Sequence, residues 1–136
     1  MSDKPDLQQE QGQDNTPYHV MGGADTIRRM VDAFYPLVQA HPLLGPLFPE
    51  DIEPVRDKQF LFLTQFFGGP PLYSEQYGHP MMRARHLPFE ITPQRAEAWL
   101  SCMKQALETI GMEPELRAFV LDRLRGPATH FINTEA

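Results

Sequence analysis

The stretch from Pro70 to His86 brings together Tyr73, Tyr77, His79, Arg83, Arg85 and His86 around three prolines. Imidazole binds metals or carries protons, and guanidinium groups pair with carboxylates, so a buried cofactor with acidic groups would use both. A loop longer than about 12–15 residues without regular structure is usually functional or disordered. Taken alone, a histidine such as His86 on a helix is more often a hydrogen-bonded core or surface residue than a ligand. A zinc site built on His79 and His86 lacks a cysteine partner and any HxxxH, HExxH or CxxC spacing. Ser2, Ser74 and Ser101 fall in a polar tail, a loop and a helical pattern, and none sits in the turn a serine nucleophile requires.

The segments that must position these residues read as helices. From Asp25, Ile27, Met30, Val31, Phe34, Leu37 and Val38 recur at helical spacing, with Asp25 or Thr26 available as a cap. Pro36 removes one backbone hydrogen bond and predicts a kink or an irregular second half. Residues 41–49 read as a tight corner with one turn. Pro54 opens a second helix with Val55, Gln59, Phe62, Leu63 and Phe66 on one face, up to Gly68-Gly69. Residues 70–80 are expected to form an ordered loop or nothing regular, leading into a short basic helical piece at 81–86. Thr92-Pro93 starts a third long helix carrying Ala96, Trp99, Leu100, Met103, Leu107 and Ile110 to a stop at Gly111. Glu113-Pro114 opens the last, with Leu116, Phe119, Val120 and Leu124 inward, and Gly126-Pro127 is expected to break it before His130 and Phe131. No run alternates like a strand, so the class is all-α.

With 136 residues, 41% hydrophobic and 22% charged, the chain suits one domain with an ordinary core. Residues 1–16 are polar, bury little and read as a disordered tail, leaving 17–136 as the domain. The single cysteine, Cys102, forms no internal bridge and fits a buried helical position. Net charge −6 without a dense basic run argues against nucleic acid. The absence of a long apolar run or signal-like start makes a membrane partner unexpected and the cytoplasm the default location.

Six segments carry a resemblance: MetGlyGlyAlaAsp (21–25), PheTyr (34–35), LeuPhePro (47–49), GlyGlyProProLeuTyrSerGlu (68–75), GlyHisProMetMetArgAlaArgHisLeuProPhe (78–89) and AlaTrpLeuSerCysMet (98–103). Together they closely resemble the group II truncated haemoglobins, from about residue 18 to the end. The resemblance implies a shortened globin fold, a two-on-two helical sandwich around haem. Carried over position by position, His86 matches the proximal histidine that ligates iron. Tyr35 matches a distal tyrosine that donates to dioxygen, Phe48 the aromatic against the ring at the corner, Gln59 a distal hydrogen-bonding position and Trp99 the tryptophan typical of the group. Lys58, Tyr73 and Arg85 match residues near the haem propionates. Val55 falls where many globins keep a distal histidine, so that gate is apolar here.

Dioxygen bound by haem carries partial negative charge on its outer atom, which a phenol, an amide and an indole N–H can all stabilise. Without the resemblance the plainer readings stand: Tyr35 a helix-surface aromatic, Gln59 solvated, Trp99 core, Lys58 and Arg85 surface charge. With it, the expected function is tight, reversible binding of dioxygen and other diatomic gases by haem b, held without a CxxCH attachment motif. The alternatives are a haem oxidoreductase with nitric oxide dioxygenase or peroxidase-like activity, which would need an external reductase, and a haem-free helical interaction module. Monomer and homodimer are both compatible with the sequence.

Overall fold

Alternation of apolar positions every three or four residues makes helices here, and packing their buried faces makes the core. The computed structural model describes residues 16–87 and 89–134, with Arg83 through its backbone only. The helices are α1 (Pro17–Met21), α2 (Gly23–Ala40), α3 (Glu53–Phe66), α4 (Leu72–Tyr77), α5 (Met82–His86), α6 (Pro93–Thr109) and α7 (Pro114–His130), with a 3-10 turn over Gly45–Leu47 at the corner. No strand occurs among the described residues.

The four long helices build the frame. α2 packs on both α3 and α6, and α6 packs on α7. Ile27, Met30, Val31, Phe34 and Val38 of α2 meet Leu63 of α3, Met103, Ala106 and Leu107 of α6 and Val120 of α7, all fully buried. Each large apolar side chain so buried contributes about 1.5–3 kcal/mol. Cys102 lies in this core, where burial pushes its thiol pKa up and keeps it protonated. Thr92 starts α6 as expected, its hydroxyl accepting from the Arg95 N–H at 3.1 Å.

Several expectations are corrected. α2 stays helical through Pro36, so its second half is regular rather than irregular, and α7 continues through Gly126-Pro127 to His130 instead of breaking there. Each proline frees the carbonyl four residues earlier, and those residues, Asp32 and Arg123, lie on exposed faces where water can satisfy it. The 70–80 segment contains the six-residue α4, because Pro70, Pro71 and Pro80 flank it rather than interrupt it. The Gln65 side chain braces α4, donating to the Ser74 hydroxyl at 2.8 Å and accepting from the Ser74 N–H at 2.9 Å. Phe119 is exposed, under the Arg123 guanidinium, rather than inward. The expected disordered tail lies outside the described residues except at Thr16, which instead caps α1 through its hydroxyl.

α1 was not foreseen, and its docking explains the paired glycines. Tyr18 N–H donates to the Phe67 carbonyl at 2.7 Å, laying α1 across the end of α3. Gly68 has φ +97°, and a Cβ there would lie 2.9 Å from Thr16 Cβ. At Gly69 a Cβ would stand 2.9 Å from the Thr64 carbonyl and 2.8 Å from the Tyr18 ring. Gly69→Ala is therefore expected to cost about 1–3 kcal/mol by overpacking, read as a lowered midpoint in urea. An unchanged midpoint would mean that α1 docks loosely.

Candidate functional site

Between the sandwich, the corner and α5 lies a cavity of about 420 Å³, within the roughly 300–1,000 Å³ range of small-molecule and cofactor sites. His86, Tyr35, Phe48, Val55, Lys58, Gln59, Tyr73, Arg85 and Trp99 all line it. The sequence spreads them over α2, the corner, α3, α4, α5 and α6, and the fold brings them to one place.

His86 closes α5. Its Nδ1 lies 2.7 Å from the Met82 carbonyl, one turn back. A carbonyl can only accept, so Nδ1 carries a proton, and in the neutral form of the ring Nε2 is the nitrogen with a free lone pair. That is the tautomer a metal ligand needs, and the carbonyl behind it raises ligand basicity. The Phe131 ring stacks on the imidazole at 4.3 Å and 11°.

Aromatic packing builds another wall. Trp99 meets Phe34 edge-on at 5.0 Å, Phe34 meets Tyr35 at 4.9 Å, and Tyr35 meets Phe48 at 6.0 Å. Such contacts fix ring orientation. Tyr35 is 2% exposed, and burial raises its phenol well above the usual range, so the hydroxyl keeps its proton and remains a donor. Val55 and Gln59 stand one turn apart on α3. Among the described residues the Tyr35 hydroxyl, the Gln59 amide and the Trp99 indole N–H have no protein hydrogen-bond partner, although each residue borders the cavity. Unpaired donors around an enclosed space are the arrangement that receives a polar or partly charged ligand.

The mouth is cationic. Lys58 Nζ sits 4.9 Å from the centre of the Tyr77 ring, and Arg85 Cζ 5.8 Å from that of Tyr73. Arg85 Nε donates to the Pro80 carbonyl at 2.8 Å. Neither cation has a carboxylate partner among the described residues. Tyr73 is buried, edge-on to Phe62 at 5.9 Å and tilted against Tyr77 at 5.1 Å. An apolar interior, one imidazole nitrogen and two cations without carboxylate partners at the rim fit a flat apolar metal macrocycle bearing carboxylates. No group of three or more His, Cys, Asp or Glu side chains that could hold a bare metal ion occurs among the described residues.

Sequence reasoning missed three further residues. Arg95 borders the cavity and donates to the carbonyls of Leu43 at 2.9 Å and Glu90 at 2.6 Å, tying the corner to the segment after α5. Phe131 stacks on His86, and Asn133 binds the same segment. Arg95 reaches Leu43 across 52 residues and Asn133 reaches Ile91 across 42, and no local pattern announces either contact.

The bacterial-like globin family model matches residues 16–133. The chain is 54% identical over 123 residues to the group 2 truncated haemoglobin YjbI of Bacillus subtilis, covering 90% of this chain and 92% of that one. The crystal structure of the group II truncated haemoglobin from Bacillus anthracis superposes with a TM-score of 0.87 at 53% identity, over 90% of this chain and 99% of that one. The truncated oxygen-avid haemoglobin from Bacillus subtilis gives 0.83 at 53% identity, over 88% and 100%.

Proposed function

The chain belongs to the bacterial-like globin family, among the group II truncated haemoglobins, and on that footing we propose that its cavity holds haem b through His86 and that it binds dioxygen tightly and reversibly. The observation that carries this reading is the His86 ring, whose Nδ1 is spent on the Met82 carbonyl while its other nitrogen is left to a cavity bordered by three unpaired donors. Haem bound there would be held by His86 and would supply an iron able to bind a diatomic gas.

The residues divide the work. Phe48, Val55, Phe62 and Leu63 keep the interior dry, which strengthens every hydrogen bond made inside it. Tyr35, Gln59 and Trp99 donate to the gas. Lys58, Arg85 and Tyr73 receive the propionates at the rim. Cys102 is buried in the core and does not border the cavity, so the group is held without a thioether bond. The relative described as oxygen-avid supports high affinity as the first expectation. No helix among the described residues is long and apolar enough to cross a membrane. We take the protein to act in the cytoplasm.

An absorption spectrum of the purified, haem-reconstituted protein tests the proposal. The expected result is a Soret band and, after reduction in air, a persistent oxy spectrum. Absence of the band would end the haem reading. Rapid loss of the oxy form on mixing with nitric oxide, or turnover of the ferric form with peroxide and an external reductant, would replace storage by oxidoreductase chemistry.

A further inference from the structure

The residues after α7 fold back onto the segment that follows His86. Asn133 Oδ1 accepts from the Ile91 N–H at 2.9 Å, and its Nδ2 donates to the Phe89 carbonyl at 2.9 Å and the His86 carbonyl at 3.3 Å. The Asn133 and Thr134 backbone N–H groups both donate to the Ile91 carbonyl, at 2.9 and 3.1 Å. The Thr134 hydroxyl donates to Asn133 Oδ1 at 2.9 Å, and Phe131 stacks on the His86 ring.

α5 needs such support. It has five residues, far too few to hold a helix on its own. It starts from Met81 at φ +46° without a side-chain cap, and it packs extensively on none of the other helices. Its last carbonyl, that of His86, accepts from the Phe89 N–H at 3.0 Å, which leaves its second lone pair open. Asn133 adds a second donor to that carbonyl and also binds Phe89 and Ile91 in the stretch that follows. Only a side chain that accepts and donates at once can do this.

We infer that Asn133 is a positioning residue for His86: with Phe131 it fixes the end of α5 and the plane of the imidazole, and so sets how firmly the ring grips iron. This rests on the haem reading above. The test compares Asn133→Ala and Asn133→Asp with the parent holoprotein. Aspartate keeps the size and the acceptor for Ile91 but loses both donors and turns a carboxylate toward two carbonyls. Both variants are expected to keep their far-ultraviolet helicity and a Soret band. Haem transfer to an acceptor globin is expected to quicken by about tenfold, the low end for disturbing a partner behind a metal ligand. The iron–histidine stretch of the ferrous protein, read by resonance Raman, is expected to shift or broaden, which a general loss of stability does not cause.

Unchanged transfer rates with an unmoved stretch would overturn the inference. So would loss of helicity in step with loss of haem in both variants, which would make Asn133 a stability residue. A parent without a Soret band would overturn this inference and the haem reading together. A parent with the band and indifferent variants would overturn this inference alone.

Discussion

His86→Ala is expected to abolish stable haem retention while leaving the helices in place. On the proposed haem reading the imidazole is the one protein ligand to iron, and its loss would remove a ligand rather than a supporting contact. Disturbing a partner behind a ligand costs about 10–100-fold in metal affinity, so losing the ligand itself is expected to speed haem loss by more than about a hundredfold. The fold has less at stake. His86 is half-buried on a five-residue helix, outside the core formed by α2, α3, α6 and α7. A stability loss of about 1–2 kcal/mol is expected from the lost Phe131 stack and the vacated space. Added imidazole is expected to restore the spectrum in part by filling that space. Haem-transfer rates, circular dichroism and imidazole titration check each step. An unchanged Soret band and transfer rate without imidazole would remove His86 from the iron.

All nine residues that the resemblance assigns to the haem site border one cavity. Their legibility has two sources. Helical periodicity places Val55 and Gln59 on one face of α3, and Ala96 and Trp99 on one face of α6, from spacing alone. Periodicity does not say that these faces enclose a cofactor, and the resemblance in residues 68–103 supplied that. The failures have physical causes as well. Neither the irregular second half expected after Pro36 nor the break expected at Gly126-Pro127 occurs, because Pro36 and Pro127 each leave their orphaned carbonyl on a wet face, where the penalty is smaller than in a core. α1 and α4 are too short for periodicity to register, and their stability comes from contacts to Phe67 and Gln65 rather than from intrinsic preference. Asn133 and Arg95 act across the chain through backbone carbonyls, which carry no sequence signature at all.

Replacing Trp99 by phenylalanine is expected to accelerate dioxygen release, and replacing Tyr35 by phenylalanine to do less. Three donors border the cavity without protein partners, so each is free to turn toward a ligand, but they differ in freedom. Tyr35 is wedged edge-on between Phe34 and Phe48 at 2% exposure, whereas Gln59 has no ring contact and can follow a displaced ligand. A hydrogen bond to a partly charged acceptor is worth about 1.5–3 kcal/mol, so losing a sole donor would speed release by about one to two orders of magnitude. Losing one of several costs less, because the others rearrange. Trp99→Phe removes the indole N–H while keeping an aromatic against Phe34, which isolates the donor from the packing. Tyr35→Phe also removes only a hydroxyl, and Gln59 and Trp99 are expected to cover for it, leaving release slightly faster or even slower. The double variant is then expected to exceed the sum of the two, since it strips the redundancy. Burial raises the Tyr35 phenol, so release from the parent is expected to stay flat with pH through the range where an ordinary phenol ionises, as the buried group keeps its proton. Stopped-flow release rates for the parent, both single variants and the double variant decide it. A Trp99→Phe rate indistinguishable from the parent would return Trp99 to wall packing and leave Tyr35 and Gln59 as the working donors.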